Sequence, residues 1–314
     1  MFWEKLSRCH VPDAVGGLAS ATKPERALVT VVKTPKATTS PQRLVRENVW
    51  IRRILVGIVI IYVGGLILAP LAALVVGAFR DGLRAILAAL SQPDVLTAFW
   101  KTLLISLIVV VFQATFGTVV AWVFVRDRFR GRQFLNALVD MPFAISPVVV
   151  GYMLLLLFGR NGLLAPVLTA LDIQVAFALP GMILATLFVT LPFMIRELIP
   201  LLENFGTSQE QAAATMGASG WQTFWKVTLP ALRWGFIYGV TLTFARALGE
   251  FGAVLVIGGG IQGRTETATL YIYRALDERQ YVGAYSAALL LGLFSLMLVM
   301  ATDIFRKMEK SRYS

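Results

Sequence analysis

The feature that most constrains this chain is a series of long apolar segments. Five of them contain no charged residue, and a sixth of similar length contains only Arg246 and Glu250. A helix needs about 20 apolar residues to cross the hydrocarbon core of a bilayer, and each segment is longer than a helix in a soluble core requires. The sequence therefore predicts an all-α integral membrane protein with six transmembrane helices, in segments 54–79, 102–125, 141–159, 173–195, 234–260 and 280–302.

The positive charge of the chain is distributed unevenly among the segments that connect these helices. The formal net charge is +11, which in a soluble protein suggests a nucleic-acid partner. Of the 29 lysines and arginines, however, 21 lie in alternate connections and tails: 1–53, 126–133, 196–233 and 306–314. This asymmetry is typical of the positive-inside rule. We therefore expect a multi-pass protein that contacts the lipid bilayer and not nucleic acid, with both termini in the cytosol.

Composition divides the chain into three regions. Residues 1–50 form a basic cytosolic tail, which we expect to be largely disordered because it has no sustained hydrophobic period. Residues 51–306 form the transmembrane domain, and residues 307–314 form a short cytosolic tail. The chain has one cysteine and one histidine, so we expect neither an internal disulfide nor a metal site.

A polar stretch between the fourth and fifth apolar segments, at about 204–232, carries clear helix signals. The S-x-x-Q spacing of a capping box begins at Ser208 and again at Ser219. Gly217 stands where a helix commonly ends, and Pro230 is expected to stop the second helix. The pattern predicts two short helices that bend at the glycine.

The same stretch presents small and aromatic side chains. Three alanines at 212–214 allow another surface to approach closely, and Trp221, Phe224 and Trp225 are of the type found at interface hot spots. The distribution of basic residues places the stretch in the cytosol, where it has no lipid to pack against. We therefore interpret it as a docking surface for another protein.

The stretch also resembles the cytosolic EAA loop of bacterial ABC importer permeases. An alanine pair, a glycine four residues later and a Leu-Pro pair twelve residues beyond it have the spacing of that motif. The resemblance implies a type I permease fold whose coupling helix docks on a separate ATPase subunit. Gln211 stands where the motif has a glutamate. Glu210, beside it, is the only substitute for the missing negative charge. The residues assigned to coupling are Glu210, Gln211, Ala212, Ala213, Gly217, Trp221, Leu229 and Pro230.

ATP is expected to be handled outside this chain. The sequence contains no G-x-x-x-x-G-K-[ST] phosphate-binding loop. We therefore expect no cofactor and no catalytic residue here, with ATP and Mg²⁺ bound by the partner ATPase.

Charged residues within the apolar segments mark a second candidate site. Arg246 and Glu250 lie one helical turn apart, and each buried charge costs about 2.5–3.5 kcal/mol, which indicates a function. Two interpretations stay open: an internal ion pair that holds helices together, or positive potential presented to a passing anion. Prolines in the third and fourth segments are expected to bend their helices. The bends either contribute to a transport pathway or only allow the helices to pack. Asp140 is expected to cap a helix or to pair with Arg130 or Arg132. The pathway candidates are Arg246, Glu250, Ser146 and Pro147.

Further strings narrow the resemblance over about residues 50–305. The sequence from Phe244 to Val254 is similar to the sulfate and molybdate branch of ABC permeases. Together with residues 140–151 and 217–222, it looks like the W-type subunits of sulfate/thiosulfate importers. This resemblance implies a non-enzymatic permease of a bacterial inner membrane that forms half of the translocation pathway of an ATP-driven oxyanion importer. The implied partners are a second homologous permease, two ATPase subunits and a periplasmic sulfate-binding protein.

Two alternatives to a sulfate permease remain at this point. The first is a molybdate or tungstate ABC permease, because the sequence does not separate these anions from sulfate or thiosulfate. The second is a secondary anion carrier, which would explain the buried charges. Carriers of that class often contain inverted repeats, and no persuasive repeat is visible in this sequence.

Overall fold

A computed structural model describes residues 49–310 of the protein, so the predicted tails lie almost entirely outside the described residues. Residues 49–57, at the start of the first helix, belong to one compact unit, and the rest of the described chain belongs to a second. Within the described range the chain forms helices and no strands. The helices are α1 (Val49–Phe79), α2 (Leu83–Leu90), α3 (Pro93–Arg126), α4 (Arg132–Ala144), α5 (Pro147–Phe158), α6 (Ala165–Ala170), α7 (Leu179–Phe205), α8 (Ser208–Thr215), α9 (Gly220–Thr223), a π-helical turn (Phe224–Thr228), α10 (Leu229–Leu248), α11 (Gly252–Gly258), α12 (Ala268–Asp277) and α13 (Tyr281–Lys310).

Four of these helices are each long and apolar enough to cross a membrane without a break. Two further candidates are bent pairs of helices, so the described residues contain six spans if each pair counts as one. This agrees with the six apolar segments of the sequence. The four unbroken spans are Arg52–Phe79, Pro93–Arg126, Leu179–Phe205 and Tyr281–Thr302.

The third apolar segment is bent and not straight. The axes of α4 and α5 differ by 112° across a break at residues 145–146. Pro147 is the first residue of α5, and Ser146 before it has an extended ψ of 135°, because a residue that precedes proline is excluded from helical geometry. The proline therefore starts a new helix instead of kinking an existing one.

The fifth segment is also interrupted. The helical run that ends with α10 stops at Leu248, and α11 begins at Gly252 with an axis rotated by 54°. The break leaves free N–H groups at the start of α11, and Glu250 Oε1 accepts one of them, from Ala253, at 3.0 Å. A buried carboxylate thus satisfies the backbone where the span is broken.

The fourth span lies further along the chain than predicted. The sequence predicts a helix at 173–195, whereas α7 covers Leu179–Phe205. Pro180 occupies its first turn, where the missing N–H is not needed, so this proline does not bend the helix. The helix continues beyond residue 195 because Leu198 and Leu202 remain buried against neighbouring helices.

Helices α3, α7 and α10 pack against one another and form the centre of the bundle. Glycines allow the close approach: a Cβ on Gly117 would lie 3.0 Å from Met194, and one on Gly239 would lie 2.8 Å from the sulfur of the same methionine. Buried Gln113 of α3 donates from Nε2 to the carbonyl of Leu187 in α7 at 2.9 Å. A polar tie and tight packing therefore fix α3 against α7.

Asp140 has a partner that the sequence did not predict. It pairs with Arg196 of α7, whose Nε lies 2.6 Å from Oδ1 and whose Nη2 also donates to the carbonyl of Asn136. The prediction that Asp140 pairs with Arg130 or Arg132 was wrong. The prediction failed because the pair joins α4 to a helix 56 positions away in sequence, beyond any local spacing rule.

The two ends of the bundle differ. We call the end that carries α8 and α9 the docking face, and the opposite end the far face. Helix α3 connects them over about 50 Å, since its 34 residues rise about 1.5 Å each. At the far face α12 packs beside α3, where the N–H of Ala268 donates to the hydroxyl of Thr102 at 2.8 Å.

The contact between α5 and α11 generates a stability prediction. A Cβ on Gly151 would lie 2.6 Å from the carbonyl oxygen of Ala253 and 2.8 Å from the Cβ of Val256. We expect Gly151→Ala to destabilise the purified protein by about 1–3 kcal/mol, because overpacking forces a backbone shift. Thermal unfolding in detergent measures the effect. Gly64→Ala is the control, because a Cβ there has no neighbour within 4 Å; equal melting temperatures for both variants would contradict the packing.

Candidate functional site

The first candidate site is the docking segment, residues 208–228, which connects α7 to α10. Its first helix, α8, buries only Ala213. The capping box predicted from Ser208 is wrong: Thr207 is the N-cap, Ser208 is already helical, and no side chain caps the end. Gln211 instead donates weakly to the Thr207 hydroxyl, at 3.4 Å. The box is one residue out of register because α8 begins earlier than the pattern suggested.

Gly217 turns the chain between the two helices, as predicted. Its φ is +86°, a conformation that glycine adopts without steric cost. Its N–H donates to Ala214 at 3.0 Å, and the N–H of Ala218 donates to Ala213 at 3.1 Å. This pair of bonds is a Schellman motif, so the glycine fixes the angle between α8 and α9.

The second predicted capping box is confirmed. The N–H of Gln222 donates to the Ser219 hydroxyl at 3.3 Å, and the Gln222 side chain accepts from the N–H of Ser219 at 3.0 Å. Pro230, however, does not stop the helix. A five-residue π-helical turn joins α9 to α10, and the proline occupies the first turn of α10, where its missing N–H is tolerated.

Large apolar side chains project from the docking segment. Met216 is 82% exposed, Trp221 is 72% exposed and Trp225 is 50% exposed. The two tryptophans and Phe224 form a cluster with ring centroids 5.6–6.4 Å apart. Aromatic clusters hold one another rigid and are the usual anchors of a protein interface. The three rings are therefore held in one exposed arrangement.

An ion pair ties the docking segment to the bundle. Arg126, at the end of α3, lies 2.9 Å from Glu210 of α8, and both side chains are largely buried. Arg126 also donates to the Gly206 carbonyl at 2.7 Å, and the Thr228 hydroxyl donates to Glu210 at 2.7 Å. Glu210 thus joins α8, the π-helical turn and α3. The sequence offered no sign of Arg126 or Thr228, because they lie 84 and 18 positions from Glu210.

The second candidate site is the buried charge pair. Arg246 and Glu250 form an ion pair at 2.7 Å, with the glutamate side chain 2% exposed and the arginine 28% exposed. Glu250 also caps α11 through Ala253, and its carbonyl accepts from the Thr269 hydroxyl at 2.8 Å. Glu250 therefore has a structural role, while part of the guanidinium remains accessible.

The other two pathway candidates lie where the broken spans meet. A Cβ on Gly252 would lie 3.3 Å from the Cβ of Pro147, so the start of α5 contacts the start of α11, two residues from Glu250. Ser146 is exposed, and its side chain does not cap α5. The structure thus brings Pro147 beside the break that contains the buried glutamate and leaves the first N–H groups of α5 without a side-chain cap.

Comparison with known proteins identifies the family of this chain. Residues 113–313 match the model described as binding-protein-dependent transport system inner membrane component. The sulfate transport system permease protein CysW of Synechococcus elongatus is 49% identical over 243 residues, which are 77% of this chain and 85% of that protein. CysW of Escherichia coli K12 is 44% identical over 248 residues, 79% of this chain and 85% of its own length.

A solved structure supports the fold independently. A chain of a bacterial ABC transporter involved in the import of the acidic polysaccharide alginate matches with a TM-score of 0.70 at 17% identity, covering 82% of this chain and 95% of that one. At this identity the match shows the fold alone. It agrees with the type I importer fold that the EAA-loop resemblance predicted. The chain therefore belongs to the family of inner membrane components of binding-protein-dependent transport systems, the membrane-spanning permease subunits of ABC importers.

Proposed function

We propose that this chain is a permease subunit of an ATP-driven sulfate importer and forms half of its translocation pathway. The names of the two CysW relatives support sulfate as the transported anion. The partners would be a second homologous permease, two ATPase subunits and an outer binding protein that delivers the anion. The docking segment is the observation on which the proposal depends, because it is the point at which a separate motor would act.

The docking face would lie in the cytosol. Most lysines and arginines fall in the connections at this end and in the two tails, as the positive-inside rule requires. Both termini would then be cytosolic, in a bacterial inner membrane. An ATPase on that side would cover Met216, Trp221 and Trp225, which are otherwise large apolar side chains in water.

Glu210 and Arg126 would transmit the movement of the ATPase. A shift of α8 displaces Glu210, which is bonded both to the end of α3 and to the turn that leads into α10. Helices α3, α7 and α10 are packed together, so they would move as a unit. ATP binding would bring the docking segment close to its counterpart in the second permease, and this would favour the outward-open arrangement. Hydrolysis would reverse the change.

The anion would pass the broken spans. Half-helices that begin inside a membrane direct their N–H groups and positive dipole ends toward anionic substrates in other transporters. The start of α5 has no side-chain cap, and Arg246 adds a partly accessible cation near the neighbouring break. A doubly charged oxyanion could be stabilised there without a fixed, deep binding site.

The complete assembly tests the proposed function. Reconstituted with its ATPase, second permease and binding protein, it should hydrolyse ATP faster with sulfate-loaded binding protein and accumulate sulfate in vesicles. Accumulation driven by an ion gradient without ATP would instead establish a secondary carrier. Stimulation by molybdate or tungstate, with none by sulfate, would establish the alternative anion.

Gly217 provides a test of the docking segment. Gly217→Val should lower sulfate uptake at least about tenfold while the protein still inserts and assembles, because a β-branched residue is strained at positive φ. Gly217→Asn is the matched control, since asparagine tolerates the left-handed region, and it should retain most of the uptake. Uptake at the parent rate by the valine variant would contradict this role.

The Arg126–Glu210 pair provides a second test, by charge reversal. Arg126→Glu and Glu210→Arg should each uncouple ATP hydrolysis from uptake, because each places like charges together in a largely buried contact. The double variant should recover a substantial part of the coupling, measured as sulfate imported per ATP hydrolysed. Arg128→Glu, at an exposed position nearby, should have little effect. Additive losses in the double variant would show that the pair does not transmit the movement.

Arg246 distinguishes the two interpretations of the buried charges. Arg246→Gln combined with Glu250→Gln removes both charges, leaves no unpaired ion and keeps an acceptor for the Ala253 N–H. If Arg246 attracts the anion, this variant should assemble normally but import sulfate at least about tenfold more slowly. Uptake at the parent rate would show that the pair only holds the helices together.

A further inference from the structure

A cavity of about 1610 Å³ opens at the far face, between the ends of α1 and α13 and beside α2 and α12. Two kinds of surface line it. Helices α1 and α2 contribute small apolar residues such as Ala73, Val76 and Ala88, whereas arginines stand at the end of α1 and just after α12. The cavity is therefore apolar along the membrane-spanning helix, and at its far-face end arginines lie among carboxylates.

Two of the lining arginines have no ion-pair partner among the described residues. Arg274 is held by Glu266 at 2.6 Å and by Glu278 at 3.1 Å, so its charge is neutralised within the protein. Arg80 and Arg279 form no ion pair or side-chain hydrogen bond among residues 49–310. The carboxylates of Asp81 and Asp94 also line the cavity, and Gln262 donates to Asp94 at 2.6 Å. Among residues 49–310 neither carboxylate forms an ion pair with Arg80 or Arg279, so both guanidinium groups keep donors for a ligand.

Arg279 occupies a backbone position that favours glycine. Its φ is +60°, and it follows the end of α12 in a Schellman motif, in which the N–H of Arg279 donates to Leu276 and the N–H of Gln280 donates to Ala275. Glycine is the usual residue there because a side chain is strained. An arginine at this position costs stability, which is expected where the side chain itself binds something.

The cavity lies at the end of a candidate membrane span. Tyr281 and Tyr285, stacked with ring centroids 6.2 Å apart, begin the last transmembrane helix and line the cavity. Tyrosines at the end of a span are typical of the membrane–water interface. A ligand with a phosphate at the arginines and an acyl chain along α1 would match both the chemistry and the depth of the site.

We propose that this cavity binds the phosphate headgroup of a phospholipid from the adjacent leaflet. The guanidinium groups of Arg80 and Arg279 donate to the phosphate oxygens, and the glycerol and the upper acyl chain lie against the small residues of α1 and α2. The site is separate from the docking segment and from the buried charge pair. It goes beyond the proposed transport function, and its test does not depend on transport.

Native mass spectrometry of the full-length chain, with any subunits that co-purify, tests the proposal. After delipidation and addition of phosphatidylglycerol, the parent protein should retain at least one lipid. Arg279→Gly should weaken retention about tenfold or more, because a charge-assisted contact to phosphate is lost, while thermal stability without lipid should be equal or higher because the strain is relieved. Arg80→Gln should also weaken retention. Arg84→Gln is the control, an exposed arginine that does not line the cavity.

Two further probes distinguish the source of the anion. Diacylglycerol has the acyl chains without the phosphate and should not be retained, and millimolar inorganic sulfate should not displace phosphatidylglycerol. Unchanged lipid retention by Arg279→Gly and Arg80→Gln would overturn the proposal. It would also be overturned if sulfate alone stabilised the delipidated protein and Arg279→Gly abolished that effect, because the cavity would then be a site for a free anion.

Discussion

The absence of water in the hydrocarbon core is the constraint on which the structure depends. Wherever a span is broken there, the free backbone groups need partners within the protein. At the start of α11, the Glu250 carboxylate accepts the Ala253 N–H, Thr269 donates to the Glu250 carbonyl, and Arg246 balances the charge. These contacts make it possible for a transmembrane segment to stop and restart within the bundle. The interruption that a transport pathway needs is therefore built from the same residues that stabilise it.

The sequence predicted the elements well and their contacts poorly. The lengths of the apolar segments predicted the number of spans, because the thickness of the bilayer determines how long a span must be. Local chemistry gave the Gly217 turn and the Ser219 capping box, since each depends on residues within six positions. It failed at Ser208, because α8 begins one residue earlier than the pattern suggested. It also failed at Pro230, which lies in the first turn of α10 and does not end a helix.

The contacts that organise the candidate sites were beyond sequence reasoning. Glu210 and Arg126 are 84 positions apart, and Asp140 and Arg196 are 56 positions apart. No periodicity relates such residues; only the packing of α3, α4 and α7 brings them together. The resemblance to the family assigned the docking segment to coupling, and the glutamate of its motif is a glutamine here. In the structure the neighbouring Glu210 points toward the bundle, where it binds Arg126, and Gln211 is exposed on α8.

The π-helical turn from Phe224 to Thr228 has a mechanical consequence. A loop at this position would absorb displacement by bending, whereas a continuous helical connection resists it. Every residue from Gly220 to Leu248 is helical, so the aromatic cluster and Arg246 lie on one continuous helical segment. The wider turn contains one more residue than an α-turn and rotates the side chains that follow it by about 100°, since each residue of an α-helix advances about that angle. That rotation sets which face of α10 lies in line with the aromatic cluster, so deleting a single residue from the turn would rotate α10 relative to the cluster without shortening the helical segment appreciably.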